Sequence, residues 1–422
     1  MIGPTQLHRP LHLSALLLAA VTFPLIFMGG LVTSHGAGMA VPDWPNSYGY
    51  NMFTFPPSQW VGGIWYEHVH RLWGSAVGFI AIVLVMQAWG PGRTPRVRRW
   101  LGICACIAAG LSLACIVPLA ARIASSSGDE PVAVNLQHLV VGFASLALIL
   151  AAAWTARRRE PRRWVRWLCV AVLVAVCIQG LLGGLRVTKV NLTLAIIHGC
   201  FGQLFFCLAG ITALVTSRGW ISARDLSGSA DSKSGRRLAA LGAICLLAIL
   251  LQLILGASMR HHGAGLAIPD LPLAYGKVLP PADSASLAKV NEFRAWVLHE
   301  KPVTLWQVWL HFAHRLGAVA VTGLLSVLAI QTWRHKEARM RWTAGIVAAL
   351  LIAQFTLGVL TVYLKKPADI ASLHVAVGAL LLLSVAVLTT RTLRLYSTRF
   401  RGRATAAHDL ARPRVEMIGV AH

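Results

Sequence analysis

The 422-residue sequence is strongly apolar, since 56% of its residues are hydrophobic and only 13% are charged. A soluble domain has about 25% charged residues, so the composition argues against a soluble globular enzyme and excludes a disordered or collagen-like chain. Lysine and arginine number 39 against 15 acidic residues, a formal charge of +24. On an apolar chain this excess is typical of cationic loops that face the cytoplasm and anionic lipid, and it does not indicate a nucleic-acid partner.

Ten apolar segments are long enough to cross a membrane, which takes about 20 residues each. The first is too long for a signal-peptide core and lacks a small-residue cleavage site, so we expect an uncleaved helix. Basic residues cluster at the N-terminus, in each connection from an even to an odd span, and in the tail. This alternation predicts an all-α integral membrane protein with both termini in the cytoplasm. The predicted spans are 12–33, 65–89, 99–121, 134–155, 164–186, 192–216, 238–258, 306–332, 342–363 and 370–390.

The sequence contains an internal repeat. Residues 35–49 match residues 262–276 at ten of fifteen positions without a gap. One copy follows the first span and the other follows the seventh, and the next span in each case carries His-Arg-Leu, at 70–72 and at 314–316. Because a match of this length does not arise by chance, the two halves of the chain are predicted to be structural repeats.

A second pair of motifs extends the repeat. Gln179-Gly-Leu-Leu-Gly183 begins 19 residues before His198, and Gln354-Phe-Thr-Leu-Gly358 begins 20 residues before His374. The pattern predicts two pseudo-symmetric four-helix bundles, in which spans 1, 2, 5 and 6 match spans 7 to 10. Spans 3 and 4 form an extra helical hairpin. The predicted divisions are an N-terminal half at 1–220 with the hairpin at about 99–155, a cytoplasmic linker at 221–237, a C-terminal half at 238–395 and a basic cytoplasmic tail at 396–422.

Four histidines occupy matching positions near the outer end of even-numbered spans. Ionisable side chains inside a membrane are costly and therefore indicate function. Two histidines on facing helices of a four-helix bundle commonly hold a haem iron axially, and small residues about one turn away would admit a flat macrocycle. The predicted iron ligands are His70 and His198 in the first half, and His314 and His374 in the second.

Two alternatives remain open for these histidines. His138 also opens an even-numbered span and lies 68 residues from His70, so it could replace His198 as the partner of His70. It lacks the preceding Gln-x-x-x-Gly motif, which places it in the extra hairpin. A single intramembrane histidine could also simply bond to a neighbouring helix, although four matching positions favour haem.

One carboxylate distinguishes the two halves. Glu67 precedes His70 by three residues on the same helix face, and the equivalent residue in the second half is His311. A carboxylate beside a bound ligand can act as a general base or proton relay, whereas the simpler alternative is an ion pair with Arg71 or a bond to a backbone donor. Arg71 and Arg315 could bind haem propionates or extend to the lipid headgroups.

Together these motifs resemble the haem A synthase family, of the CtaA and Cox15 type, over roughly residues 20–390. The motifs that carry the resemblance are Gly-x-Gly-Met-x-x-Pro-Asp-Trp-Pro at 36–45, Glu67-x-x-His70-Arg71, Gln179-Gly-Leu-Leu-Gly183 with His198, His314-Arg315, and Gln354-x-x-Leu-Gly358 with His374. The chain departs from the family pattern in having ten predicted spans instead of eight, and it lacks an outer-loop cysteine pair found in many members.

The resemblance implies oxidation of the C8 methyl of haem O to a formyl group, giving haem A for terminal oxidase assembly. It implies that His70 and His198 hold haem O as substrate, that His314 and His374 hold haem b as cofactor, and that Glu67 is the catalytic carboxylate. The haem sites would face outward from the plasma membrane. Membrane lipid, haem O synthase and an electron-transfer protein are candidate partners.

Two other functions fit part of the sequence. One is a dihaem b-type electron-transfer subunit that alters neither haem, but such a protein does not need Glu67 in one half only. The other is a haem or metal transporter, which should show a polar path to the cytoplasmic side. The inner halves of the spans have almost no ionisable residues, which counts against transport.

Overall fold

The computed structural model describes residues 7–90, 94–125, 134–156, 159–223, 232–335 and 337–396. Over these ranges, ten helices are long and apolar enough to cross a membrane, which confirms the prediction of an all-α integral membrane protein with ten spans. The helices are α1 (Arg9–Ser34), α2 (Gly63–Trp89), α3 (Pro95–Ser125), α4 (Val134–Thr155), α5 (Arg163–Thr188), α6 (Leu192–Thr216), α7 (Ser232–His261), α8 (Leu305–Trp333), α9 (Ala338–Tyr363) and α10 (Ala368–Tyr396).

Several helices begin at a side chain that caps their first turn. Asn191 accepts a hydrogen bond from the backbone N–H of Leu194 at the start of α6, and Thr304 forms a capping box with Gln307 at the start of α8. Most of the helices extend beyond the apolar segments of the sequence, as in α7, which covers 232–261 where the apolar pattern covers 238–258; α4 and α6 have the predicted bounds. Hydropathy marks the part of a helix inside lipid, whereas caps mark where the helix itself begins.

Contacts between helices close two rings of four. In the first ring, α1 and α5 each contact both α2 and α6. In the second, α7 and α9 each contact both α8 and α10. The rings meet where α1 and α6 pack on α10 and where α6 packs on α7, while α3 and α4 pack on each other and α4 contacts α2. The hairpin of α3 and α4 therefore lies beside the first ring.

Each ring has a packed apolar cluster at one end. In the first ring the cluster includes Leu11, Leu18 and Leu84, and in the second it includes Leu328 and Leu388. These residues lie at the end of the helices away from the four predicted ligand histidines. Since hydrocarbon tails are as apolar as leucine, helix association in lipid depends on such close packing.

Two loops join helices at the histidine end, which we define as the end of both rings where the predicted ligands lie. They contain the repeated segments at 35–49 and 262–276, and they adopt the same conformation. Asp43 and Asp270 each accept hydrogen bonds from the backbone amides five and six residues further on, at 2.8 to 2.9 Å. The second loop also contains a short helix, Ser284–Phe293.

Candidate functional site

Each predicted ligand histidine lies against a glycine of the preceding helix in its ring. A Cβ atom at these glycines would come about as close to the imidazole as any real Cβ contact, or closer, so a larger residue would displace the ring. The distances from an ideal Cβ to Cε1 of the imidazole are 3.1 Å for Gly29 and His70, 2.9 Å for Gly183 and His198, 2.9 Å for Gly256 and His314, and 3.2 Å for Gly358 and His374.

The histidines form two pairs across the two rings. His70 is on α2 and His198 is on α6, which stand diagonally opposite in the first ring, and the two imidazoles are close enough to interact electrostatically. His314 on α8 and His374 on α10 have the same relation in the second ring. Two imidazoles that face each other from opposite helices can supply both axial ligands of a haem iron.

A glutamine one turn before the glycine supports three of the four histidines. The amide nitrogen of Gln179 donates to the backbone oxygen of His198 at 3.0 Å, and that of Gln252 donates to the backbone oxygen of His314 at 2.8 Å. The amide nitrogen of Gln354 lies 3.3 Å from Nε2 of His374. These bonds fix the histidine turn of each even helix relative to its odd neighbour.

The sequence analysis identified two of these glutamines and missed the third. Gln252 and Gly256 have the same Gln-x-x-x-Gly spacing as the motifs at 179–183 and 354–358. The Gln-x-x-x-Gly spacing is therefore present in α7 as well. The repeated loop pairs α7 with α1, however, and α1 has no glutamine at that position.

The surroundings of His70 differ from those of the other three histidines. Leu25 on α1 occupies the position, one turn before Gly29, where the other odd helices carry glutamine. Neither ring nitrogen of His70 hydrogen-bonds to a described residue, and its Nδ1 is buried. An added Cβ at Gly74 or Gly78 would meet nothing within 4 Å. The backbone of α2 is thus open beside His70, as the approach of a flat macrocycle requires.

The other small residues about one turn from the predicted ligands are Gly202, Gly317 and Gly378, and each has a side chain next to it. A Cβ at Gly202 would lie 3.0 Å from the amide nitrogen of Gln179, and one at Gly378 would lie 3.2 Å from that of Gln354. Gln252 contacts the corresponding position at Gly317 still more closely. The open surface is therefore a feature of the His70 side of the first ring.

Glu67 joins α2 to the first repeated loop. It is 3% exposed; Oε2 accepts a hydrogen bond from the backbone N–H of Val41 at 2.9 Å, and Oε1 pairs with Arg71 at 2.8 Å. Arg71 also donates to the carbonyl oxygens of Val41 and Asp43, both at 2.6 Å. Glu67 thus makes both an ion pair with Arg71 and a hydrogen bond to a backbone donor, the two contacts expected of a carboxylate with a structural role. It also lies one helical turn from His70.

In the second ring His311 makes the equivalent contact. Its Nδ1 accepts a hydrogen bond from the backbone N–H of Ile268 at 3.2 Å. Arg315 donates to the carbonyl oxygens of Ile268 at 2.8 Å and Leu273 at 3.1 Å. Loop attachment is therefore achieved without a carboxylate in this half. The Nη atoms of both Arg71 and Arg315 donate to carbonyl oxygens of the loops, so these guanidinium groups attach the loops to α2 and α8.

His138 lies away from the interior of the first ring. It is exposed, and its Nδ1 is 2.6 Å from the side-chain nitrogen of Asn51. The neighbouring Gln137 accepts from the hydroxyl of Thr54 at 2.6 Å. This cluster fastens α4 to the first repeated loop, whereas His198 lies on α6, diagonally opposite the helix that carries His70.

Two arginines at the histidine end, Arg186 and Arg260, belong to none of the motifs found in the sequence. Arg186 on α5 donates to the carbonyl oxygen of Gly38 at 2.9 Å. Arg260 on α7 donates to the carbonyl oxygen of Gly30 at 2.5 Å. Both are half-buried, and hydropathy alone does not predict their contacts with the neighbouring loop and helix.

The residues present fit haem better than a bare metal ion. Within the ranges that the structure describes, no three histidine, cysteine, aspartate or glutamate side chains converge as a metal site. The histidines instead form pairs, and in each ring one imidazole, His70 or His374, has a buried Nδ1 without a hydrogen bond. Paired imidazoles match the needs of a haem with two axial ligands, and beside His70 the helix backbone is also open.

Comparison with known proteins identifies a family. The model of the COX15-CtaA family, described as a cytochrome oxidase assembly protein, matches residues 12–159 and 136–386. Three similar proteins carry haem A synthase names. They are heme A synthase 2 of Acidiphilium cryptum, 30% identical over 56% of this chain and 61% of the relative; heme A synthase of Shewanella oneidensis, 25% identical over 57% of this chain and 70% of the relative; and heme A synthase of Rhizobium etli, 32% identical over 58% of this chain and 63% of the relative. The aligned part thus spans less than two thirds of two of these relatives.

Proposed function

Because the chain belongs to the COX15-CtaA family, we propose that it is a haem A synthase that oxidises the C8 methyl of haem O to a formyl group for terminal oxidase assembly. The change adds one oxygen atom to the methyl carbon and removes two hydrogen atoms, which is a four-electron oxidation. With water as the oxygen donor it releases four protons and four electrons, and the electrons pass to an external acceptor. The observation that carries the proposal is the pair of histidines facing across each ring, each held against a glycine. The names of the relatives from three organisms support the same reaction.

In this proposal the two halves of the chain have different tasks. The N-terminal half, at 1–220, holds haem O between His70 and His198, and the C-terminal half, at 238–395, holds haem b between His314 and His374. Bound haem b would supply one-electron transfer. The open backbone beside His70 supports this division, because a substrate must enter and leave, whereas a resident cofactor needs a closely packed site.

Glu67 is the proposed catalytic carboxylate for protons released at the methyl group. It lies one turn from His70, and the second ring attaches its loop through His311 without a negative charge. Because loop attachment does not require a carboxylate, its presence in the proposed substrate half points to chemistry. Arg71 would hold Glu67 and the loop in place over the substrate.

The proposed location is the plasma membrane, with both termini in the cytoplasm and the histidine end outward. The distribution of basic residues between the two ends of the spans supports this orientation. Haem O synthase and an electron-transfer protein are proposed partners, since the substrate must be supplied and the electrons removed.

The test is pigment analysis of cells that make haem O, with and without this protein. We expect haem A or its hydroxylated precursor with the wild type and much less with Glu67→Ala. The second candidate, a dihaem electron-transfer subunit, is favoured by the similarity of the four histidine contacts. Unchanged haem O together with two bound b-type haems in the purified protein would establish that candidate instead.

A further inference from the structure

Arg260 connects the two rings at the histidine end. It lies in the last turn of α7, and its Nη2 donates to the carbonyl oxygen of Gly30 at 2.5 Å and to the hydroxyl of Ser34 at 2.6 Å, both on α1. The hydroxyl of Ser34 is in turn 3.2 Å from that of Ser372 on α10. One guanidinium group therefore takes part in the junction of three helices.

The position of Arg260 is defined by its neighbours relative to both histidine pairs. Gly30 follows Gly29, the glycine that contacts His70. A Cβ at Gly30 would lie 2.8 Å from Cβ of Ser372, which precedes His374 by two residues. Arg260 thus lies at the level of the proposed iron ligands, between one ligand of each ring.

No acidic side chain among the described residues forms an ion pair with Arg260. The ion pairs among the described residues join Arg71 to Glu67, Arg162 to Glu160 and Arg294 to Glu300. Arg260 takes part in none of them, and its Nε and Nη1 make no hydrogen bond to the part of the chain that the structure describes. A guanidinium within a membrane span is costly unless an anion or a polar partner offsets its charge.

We propose that Arg260 binds a carboxylate group of the porphyrin held by His314 and His374, through its Nε or Nη1, the nitrogen atoms that have no partner among the described residues. The inference rests on the proposed haem sites. A haem carries propionate groups, and a guanidinium N–H donates strong, charge-assisted hydrogen bonds to carboxylate. Arg71 and Arg315 are less suited to this task, because their Nη atoms bind loop carbonyl groups.

The test compares haem b with its dimethyl ester, in which the propionates are uncharged. Both are titrated into the full-length protein in lipid nanodiscs, in a His70→Ala background that leaves the second pair intact, and binding is followed by Soret absorbance. We expect haem b to bind about ten- to a hundredfold more tightly than the ester, the range of a charge-assisted hydrogen bond. Arg260→Gln should abolish most of this preference and Arg260→Lys should keep part of it.

Lys365→Gln is the matched control, because it removes an exposed cation from the same end of the second ring, and it should leave the preference unchanged. Equal binding of haem b and its ester in the chain with Arg260 intact would overturn the inference without recourse to a variant. An unchanged preference in Arg260→Gln would also overturn it. Absence of haem binding in the unmodified protein would overturn the proposed function and this inference together.

Discussion

Each proposed iron ligand lies against a glycine of the neighbouring helix, and the absence of a side chain at that glycine leaves room for the imidazole. At Gly256 an added methyl group would approach Cε1 of His314 to 2.9 Å, closer than van der Waals contact permits. Because the imidazole is on one helix and the glycine is on another, the contact also fixes the distance between α7 and α8. Specificity for glycine here is steric, since these glycines lie inside helices and need no unusual backbone conformation.

We therefore expect Gly256→Ala to weaken haem binding in the second ring. Overpacking of this kind costs about 1–3 kcal/mol, which corresponds to roughly ten- to a hundredfold weaker binding. The haem content of the purified variant, measured as the pyridine haemochrome, checks this. Gly323→Ala on α8 is the control, because its Cβ would meet nothing within 4 Å. Equal haem content in the two variants would show that the close contact does not matter.

Glu67 and His311 occupy equivalent positions in the two halves, so replacing each residue by the other separates loop attachment from the effect of the carboxylate. Glu67→His should keep the loop attached, since His311 accepts the equivalent backbone hydrogen bond, but it removes the carboxylate. We expect haem binding to be retained and conversion of haem O to fall by about 10²-fold or more, the size of a general acid–base contribution. Conversion by Glu67→His at the wild-type rate would assign Glu67 to loop attachment alone. His311→Glu is the reciprocal control and should leave conversion unchanged.

The sequence predicted the four histidines because the repeat displays them at matching positions, and it predicted Glu67 because the repeat breaks there. It could not predict that Arg71 binds its own loop, since the loop carbonyl groups face α2 only after folding. The contact of the half-buried Arg260 with α1 is another tertiary effect. From the sequence, a cation in the last turn of a helix is expected at the membrane interface. Only the folded structure shows that Arg260 donates to a backbone oxygen of the other ring.

At the scale of helices, the extra hairpin of α3 and α4 adds to the first ring without changing its order. The ring closes through α2 and α5, which flank the hairpin in sequence and contact each other directly. A hairpin leaves and re-enters at the same membrane face, so α5 keeps the orientation it would have without the insertion. The hydrogen bonds of Gln137 and His138 join α4 to the loop before α2.

We expect His138 and His198 to respond differently to substitution. His198→Ala removes a proposed ligand and should abolish the bis-histidine spectrum of the first site, whereas His138→Ala removes a hydrogen bond at an exposed position, worth about 1 kcal/mol. Low-temperature electron paramagnetic resonance of the oxidised protein distinguishes the two, because it reports the axial ligands directly. A changed ligand signal in His138→Ala and an unchanged one in His198→Ala would instead make His138 the partner of His70.

The number of helices was predictable because lipid imposes a minimum apolar length, and ten segments meet it. Which helices contact one another was suggested only by the repeat. The structure adds the contacts that join neighbouring helices within each ring, in which a glycine of one helix lies against a histidine or glutamine of the next. Such contacts involve pairs of helices and leave little trace in the hydropathy of either one.

For the whole molecule, α10 holds the two rings together. Half of the residues in its most apolar stretch are buried, against at most 33% in the other described spans. The reason is that α10 packs on α1 and α6 as well as on its own ring. Glycines at the junction allow the close approach, as where Gly30 meets Ser372. Both histidine pairs are therefore fixed relative to each other, as electron transfer between the two proposed haems would require.

The orientation of the molecule is the last prediction, and it follows from the separation of charge between its two ends. Basic residues are concentrated at the end opposite the histidines, in the connections from even to odd helices. Short cationic loops are retained in the cytoplasm during insertion, so the histidine end should face outward. Fusions to green fluorescent protein and to alkaline phosphatase at selected positions test this, since the first is fluorescent only inside and the second is active only outside.

We expect fusions after residue 223 and after residue 396 to be fluorescent and to lack phosphatase activity. A fusion after residue 300, in the loop between α7 and α8, should show the reverse. The three positions control for one another, because they alternate along one chain and share the same first six spans. The reverse result at all three would place the histidine pairs at the cytoplasmic face, so that haem O would be oxidised on the side of the membrane where the basic loops lie.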